Sequence, residues 1–176
     1  MFDPTIYDNL KVVLEGKIYE HDFSGDIIIT NREDIVDLAT MSRMFSIKFT
    51  LASSQFKHQH CELVLSSTME DFATEMLDEN EHDAGCSLYV YFHSKIRDVE
   101  KDCSTIQRHL NMIWNGRPMI TQKVSFLYGN DDTLLNETKL HFNRKINEEQ
   151  IQDVPSLLDY CIQSLTFFHK HYKRSN

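Results

Sequence analysis

Apolar and polar residues alternate along several short stretches of the chain, a pattern typical of strands with one face in water. The clearest case is the stretch 46–52, where polar residues separate Ile47, Phe49 and Leu51. The alternation, together with the turn residues that bound it, predicts about seven strands. They are expected at residues 10–20, 26–30, 46–52, 61–66, 87–93, 119–128 and 134–143.

Other segments repeat their apolar residues at steps of three and four, which is typical of a helix with one buried face. We expect four helices: one beginning at Asn31, then residues 68–80, then 97–113, and a final helix reaching about residue 170. Pro155 lacks an N–H and crowds the preceding helical turn, so it fits only near the start of a helix. A short turn at residues 148–152 is therefore expected before the final helix.

Three polar residues that follow strands have the spacing of a capping box, in which a helix-capping side chain and a side chain three residues later bond each other's backbone amides. The pairs are Asn31 with Asp34, Ser67 with Glu70, and Asn147 with Gln150. Each pair predicts the start of a helix.

The resulting element order is ββα, ββα, βα, ββα. Hairpins followed by helices favour a mainly antiparallel sheet of about seven strands with about four helices on one face, in the α+β class. A length of 176 residues favours a single domain, residues 1–176.

The charge distribution narrows the range of partners. The formal net charge is −9, and the stretch 70–83 contains acidic residues but neither Lys nor Arg. This surface would repel a phosphate backbone or an anionic membrane, so we expect neither nucleic acid nor membrane as a partner. The acidic helix is interpreted as a solvated face or, as an alternative, as a docking patch for a protein. The residues concerned are Glu70, Asp71, Glu75 and Asp78.

The absence of a recognisable targeting signal and the spacing of the cysteines favour a cytosolic protein. No apolar run approaches the ~18 residues that span a bilayer, and the first residues lack the basic and apolar segments of a secretory signal. The four cysteines are widely spaced without a C-x-x-C pair. Such cysteines are most often small buried residues in a reducing compartment. The expected location is the cytoplasm.

The common catalytic motifs are absent from the sequence. The five glycines are scattered, so neither a Walker-type loop nor a dinucleotide fingerprint can form. Neither an H-E-x-x-H sequence nor a glycine-flanked nucleophile turn is present. No cofactor is predicted, and the sequence favours a protein without catalytic activity.

One histidine pattern suggests a metal site. His58 and His60 would point to the same side of a strand, where two imidazoles could bind zinc or another borderline metal. His141 on another strand is the candidate third ligand. The alternative interpretation is that these are exposed histidines at a hairpin edge. The pattern supports a second functional hypothesis, a metal- or small-ligand-binding protein or a metal-dependent enzyme.

The leading hypothesis is a protein-interaction or regulatory module that uses the wet face of the sheet. Tyr89 and Tyr91 would place large amphipathic rings on that face, and exposed tyrosines are frequent interface anchors. The alternatives are that the two rings pack beneath a loop or against a neighbouring subunit, or that both faces of the sheet are covered. The partner would be another protein or a second copy of the chain. The residues expected on the wet face are Lys48, Thr50, His60, Glu62, Tyr89, Tyr91, Lys123, Ser125, Lys139 and His141.

Overall fold

A computed structural model describes residues 4–54, 58–77 and 84–174, with the backbone alone at 130–132 and 172–174. The helices are α1 (Thr5–Ser24), α2 (Met69–Leu77), α3 (Val99–Ile113) and α4 (Val154–Arg174). The strands are β1 (Ile27–Asp37), β2 (Ser42–Leu51), β3 (His60–Ser67), β4 (Ser87–Ile96), β5 (Met119–Leu127) and β6 (Asn130–His141).

The strands form one sheet in the order β1-β2-β3-β4-β6-β5, and every neighbouring pair is antiparallel. The α+β class and the antiparallel sheet are therefore confirmed. In the described residues the sheet has six strands rather than about seven. Their first element is a helix, and three consecutive strands follow it, so the predicted order ββα-ββα-βα-ββα is wrong in its first third.

The predicted strand at residues 10–20 is wrong because this segment lies within α1. The buried residues of α1 are Tyr7, Leu10, Leu14 and Ile18, which recur at helical steps. Three of these residues lie inside the predicted strand at steps of four, so the helical period is present within it and outweighs the short-range alternation.

The helix predicted from Asn31 is also wrong, because β1 continues through this region and pairs with β2 as far as Asp37 opposite Ser42. The expected cap of Asn31 with Asp34 does not form. Asp34 instead forms ion pairs with Lys11 on α1 and with Arg43 on β2. Pairing with a neighbouring strand and contact with α1 thus outweigh the local helical spacing.

The other two caps lie close to their predicted positions. The Thr68 hydroxyl accepts from the Asp71 amide at 3.2 Å, and the Asp71 carboxylate accepts from the Thr68 amide at 2.9 Å. This box therefore begins one residue after Ser67. The box of Asn147 with Gln150 is confirmed. It opens the 3₁₀ turn Glu148–Asp153 that leads directly into α4.

The core lies between one face of the sheet and the helices α1, α3 and α4. Alternate residues of β2, β3 and β4 are buried on this side, as the period-two pattern requires. Trp114 closes the end of α3 and donates from Nε1 to the Ser164 hydroxyl on α4 at 3.0 Å. The inner sheet residues of this core include Phe45, Ile47, Phe49, Cys61, Leu63, Leu65, Val90, Phe92 and Leu140.

Two glycines give a paired test of this fold. A Cβ on Gly16, within α1, would meet no atom within 4 Å, so Gly16→Ala should stabilise the protein by about 0.5–1 kcal/mol. A Cβ on Gly85 would lie 2.4 Å from the Ile146 carbonyl oxygen, which the Cys86 amide already uses as its acceptor. Gly85→Ala should therefore destabilise it by about 1–3 kcal/mol.

Urea denaturation of both variants and the parent chain measures the two changes. Equal effects of the two substitutions, or a stabilising Gly85→Ala, would contradict the packing of the 84–86 segment against Ile146.

Candidate recognition surface

The outward side chains of β2 to β6 form one surface, which we call the open face. The strand pairing sets Glu62 opposite Tyr91, Tyr91 opposite Lys139, and Tyr89 opposite His141. Residues directly opposite each other project from the same side of a sheet. In the described part of the chain, α1, α3 and α4 pack on the other side, where the buried apolar residues lie.

Aromatic and cationic side chains meet at the centre of the open face. The Lys139 ammonium lies 4.1 Å from the ring centre of Tyr89 and 5.6 Å from that of Tyr91. The two tyrosine rings are 6.4 Å apart, and the His141 ring lies 5.2 Å from Tyr89. The attraction of a cation for a ring face holds the lysine chain over the tyrosines. We call these four residues the Tyr–Lys strip.

A second cluster on the open face is centred on Glu62. Its carboxylate accepts from the Ser46 hydroxyl at 2.6 Å and lies 3.3 Å from His93 Nε2 and 3.6 Å from Lys48 Nζ. The His60 and His93 rings stack with their centres 4.4 Å apart. These contacts fix the side chains of β3 and β4 against each other.

The environment shifts the pKa of two members of this cluster away from neutrality. Burial, with the nearby His93 and Lys48, lowers the pKa of His60 from 6.5 to about 4. Burial alone would raise the pKa of Glu62. Hydrogen bonds from His93 and Ser46 and the charge of Lys48 outweigh burial and lower that pKa from 4.5 to about 2. At neutral pH the imidazole of His60 is neutral and Glu62 is ionised.

The structure does not bring the three proposed metal ligands together. His60 on β3 is paired with His93 of β4. His141 is on β6, the strand along the other edge of β4, and is paired with Tyr89. Two strand spacings and four residues along β4 separate His60 from His141, a distance of roughly 16 Å. His58 is exposed in the turn before β3. Within residues 4–54, 58–77 and 84–174, no three His, Cys, Asp or Glu side chains are placed to hold a metal ion.

The acidic residues of α2 have unequal roles. Asp71 is only 8% exposed. Its carboxylate accepts from the Thr68 amide and lies 2.6 Å from the Lys145 ammonium. Glu75 accepts from the backbone amides of Thr5 and Ile6 and so holds α2 at the start of α1. Glu70 is exposed, and Asp78 lies outside the described residues. Two of the four acidic residues are therefore used to build the fold.

Charge on the open face differs from that of the whole chain. Among the residues whose side chains the structure describes, the half formed by β4, β6 and β5 projects Lys95, Lys123 and Lys139 and one carboxylate, that of Glu137. The net charge of the chain is −9. This half of the face is thus a cationic region on an acidic protein.

His93 is one of the residues of this surface that the sequence reasoning missed; Lys95 and Glu137 are others. The alternation could have predicted that His93 lies on this face, because His93 follows Tyr89 and Tyr91 at steps of two. Its position beside His60 and Glu62 depends on the register between β3 and β4, which local sequence does not specify.

Comparison with known proteins assigns no family to this chain: no family model, curated protein or solved structure matches it. Among the described helices, none combines the length and apolar character needed to cross a membrane.

The pKa shifts predict how stability depends on pH. The unfolded chain binds a proton on His60 near pH 6.5 but the folded chain only near pH 4, so stability should fall as pH drops through this window. Below pH 4.5 Glu62 should continue the loss, because its folded-state pKa is about 2. Lowering the pH from 6.5 to 4.5 should therefore reduce the free energy of unfolding of His60→Gln less than that of the parent chain.

Urea denaturation at a series of pH values gives the two curves. Glu62→Gln serves as the comparison, because its altered pH dependence should be confined to the range below pH 4.5. Parallel curves for His60→Gln and the parent chain would contradict the partly buried, neutral imidazole.

Proposed function

We propose that this protein is a non-catalytic recognition module whose Tyr–Lys strip binds an acidic segment of a partner protein. The observation that carries the proposal is the placement of Lys139 over Tyr89 and Tyr91 on a sheet face that the helices leave uncovered in the described residues. Tyrosine offers apolar contact area with little loss of conformational freedom. The lysines add attraction for carboxylates.

Two titrating groups of the open face, Glu62 and His60, are unsuited to acid–base catalysis at neutral pH. A general acid or base works best when its pKa lies near the working pH. Glu62 and His60 have pKa values of about 2 and about 4, so neither exchanges a proton readily at neutrality. Glu62 is also engaged by Ser46, Lys48 and His93.

Charge favours an acidic protein segment over the other candidate partners. A second copy would bring the same lysines of β4, β6 and β5 onto themselves, and like charges facing each other are unfavourable. The lysines of this region would attract a nucleic acid, but the chain as a whole has a net charge of −9 and would repel it. A short acidic segment can contact the lysines and avoid the acidic remainder of the surface.

The test is binding of a fluorescently labelled peptide rich in Asp and Glu, measured by anisotropy at low and moderate salt. Lys139→Ala and the double variant Tyr89→Ala/Tyr91→Ala should each weaken binding about tenfold, the loss expected for interface anchors. Tyr128→Ala and Lys101→Ala are the matched controls, because both positions are exposed and lie away from the strip. The controls should leave affinity within about twofold.

Three results would overturn the proposal. One is the absence of peptide binding by the parent chain. Another is an equal loss in the control variants, which would indicate unspecific attraction. The third is tighter binding of oligouridylate than of the peptide, which would make nucleic acid the ligand. Thermal unfolding of each variant verifies that it is folded.

A further inference from the structure

A surface groove lies between the outer sides of α3 and α4, in the helical layer and away from the open face. Its volume is about 570 Å³. The lining residues on α3 are Thr105, Arg108, His109 and Ile113, and those on α4 are Gln163, Thr166, Phe167, Lys170 and His171. Both sets recur at steps of three and four, so each wall is one side of a helix.

The two walls are joined by stacked rings. The Phe167 ring on α4 lies 4.3 Å from the His109 ring on α3, with 14° between their planes. The His171 ring lies 5.7 Å from Phe167 on the same helix. Rings at these separations attract each other. The stack fixes the spacing of the helices where the cationic residues project.

Among the described residues that line the groove there are cations but no carboxylate. Arg108 and Lys170 carry permanent charge on opposite walls, and His109 and His171 lie beside them. Within the described parts of the chain, neither Arg108 nor Lys170 has an ion-pair partner. An acidic protein of net charge −9 thus keeps two permanent cations unneutralised in one groove.

Asp102, whose carboxylate lies beside the groove residue His171, is already committed to the fold. One oxygen of Asp102 accepts from the backbone amides of Arg97 and Asp98 at 2.9 and 3.1 Å, which caps the start of α3. Its other oxygen lies 3.3 Å from His171 Nε2. Partial burial would raise the pKa of Asp102, but these bonds lower it below its ordinary value. Asp102 is therefore an ionised partner of His171, not of Arg108 or Lys170.

The polar groups of the groove are suited to an anion. Arg108, Lys170 and the Gln163 amide are donors. The hydroxyls of Thr105 and Thr166 already donate to the carbonyls of Lys101 and Ile162. The donors that remain are thus mainly cationic, and a guanidinium binds two phosphate oxygens at once.

We propose that this groove binds a small soluble phosphate compound carrying more than one negative charge, such as a polyphosphate or a phosphate ester. The volume exceeds that of a single phosphate and lies within the range of small-molecule sites. The cations on α3 and α4 contact the ligand from opposite sides. The site is independent of the Tyr–Lys strip, which lies across the sheet.

The test is isothermal titration of the full chain with pyrophosphate, supported by NMR of the His and Phe ring protons. Arg108→Ala and Lys170→Ala should each weaken binding about tenfold, the loss expected for one charge-assisted contact. Arg117→Ala and Lys101→Ala remove the same charges from exposed positions outside the groove. They should change affinity less than about twofold. Ring protons of His109 and Phe167 should shift on binding.

Other outcomes overturn the proposal. Equal losses of affinity in the two control variants would show that pyrophosphate binding reflects general electrostatic attraction. Undetectable pyrophosphate binding would show that the groove is not a phosphate site. A second arm uses phosphatidylcholine vesicles containing phosphatidic acid. Binding to these vesicles without binding to pyrophosphate would make a lipid headgroup the ligand and exclude a soluble one.

Discussion

The whole architecture depends on burial of a single side of the sheet. The inward side chains of the central strands are almost fully buried, and the apolar stripes of α1, α3 and α4 pack against them. Removing this much apolar surface from water is the main favourable term in folding. Because side chains alternate along a strand, the same burial fixes which residues point outward. The open face is therefore a direct consequence of the core.

Several polar groups of the open face are held by neighbours on the same face. Glu62 is held by Ser46, Lys48 and His93, and Lys139 lies over two tyrosines. Such contacts keep the side chains ordered before any partner arrives, which lowers the entropic cost of binding. An arrangement of this kind suits recognition, since the binding groups are already in place.

The sequence predicted the parts of the fold that depend on local pattern. The alternation predicted β2, β3 and β4 close to their observed positions and placed Tyr89 and Tyr91 together on one face, because side chains two residues apart share a face of a strand. It failed in the first 40 residues. There α1 was mistaken for a strand and half of β1 for a helix, because pairing with β2 and ion pairs with α1 determine that region.

The candidate site shows the same division. Which residues share the open face followed from alternation, but their neighbours depended on strand order and register. His60 was expected near His141 and instead stacks on His93. The α3–α4 groove could not be found at all, because it depends on how two helices distant in sequence pack together. Tertiary placement of this kind lies beyond local pattern.

The central claim is that one side of the sheet holds the core and the other contacts solvent. Hydroxyl-radical footprinting of the full chain measures this directly, residue by residue. The account predicts modification of Tyr89, Tyr91 and Tyr128, with strong protection of Tyr7, Phe49 and Phe92. Protection of Tyr89 and Tyr91 equal to that of Phe92 would show that the open face is covered and would contradict the account.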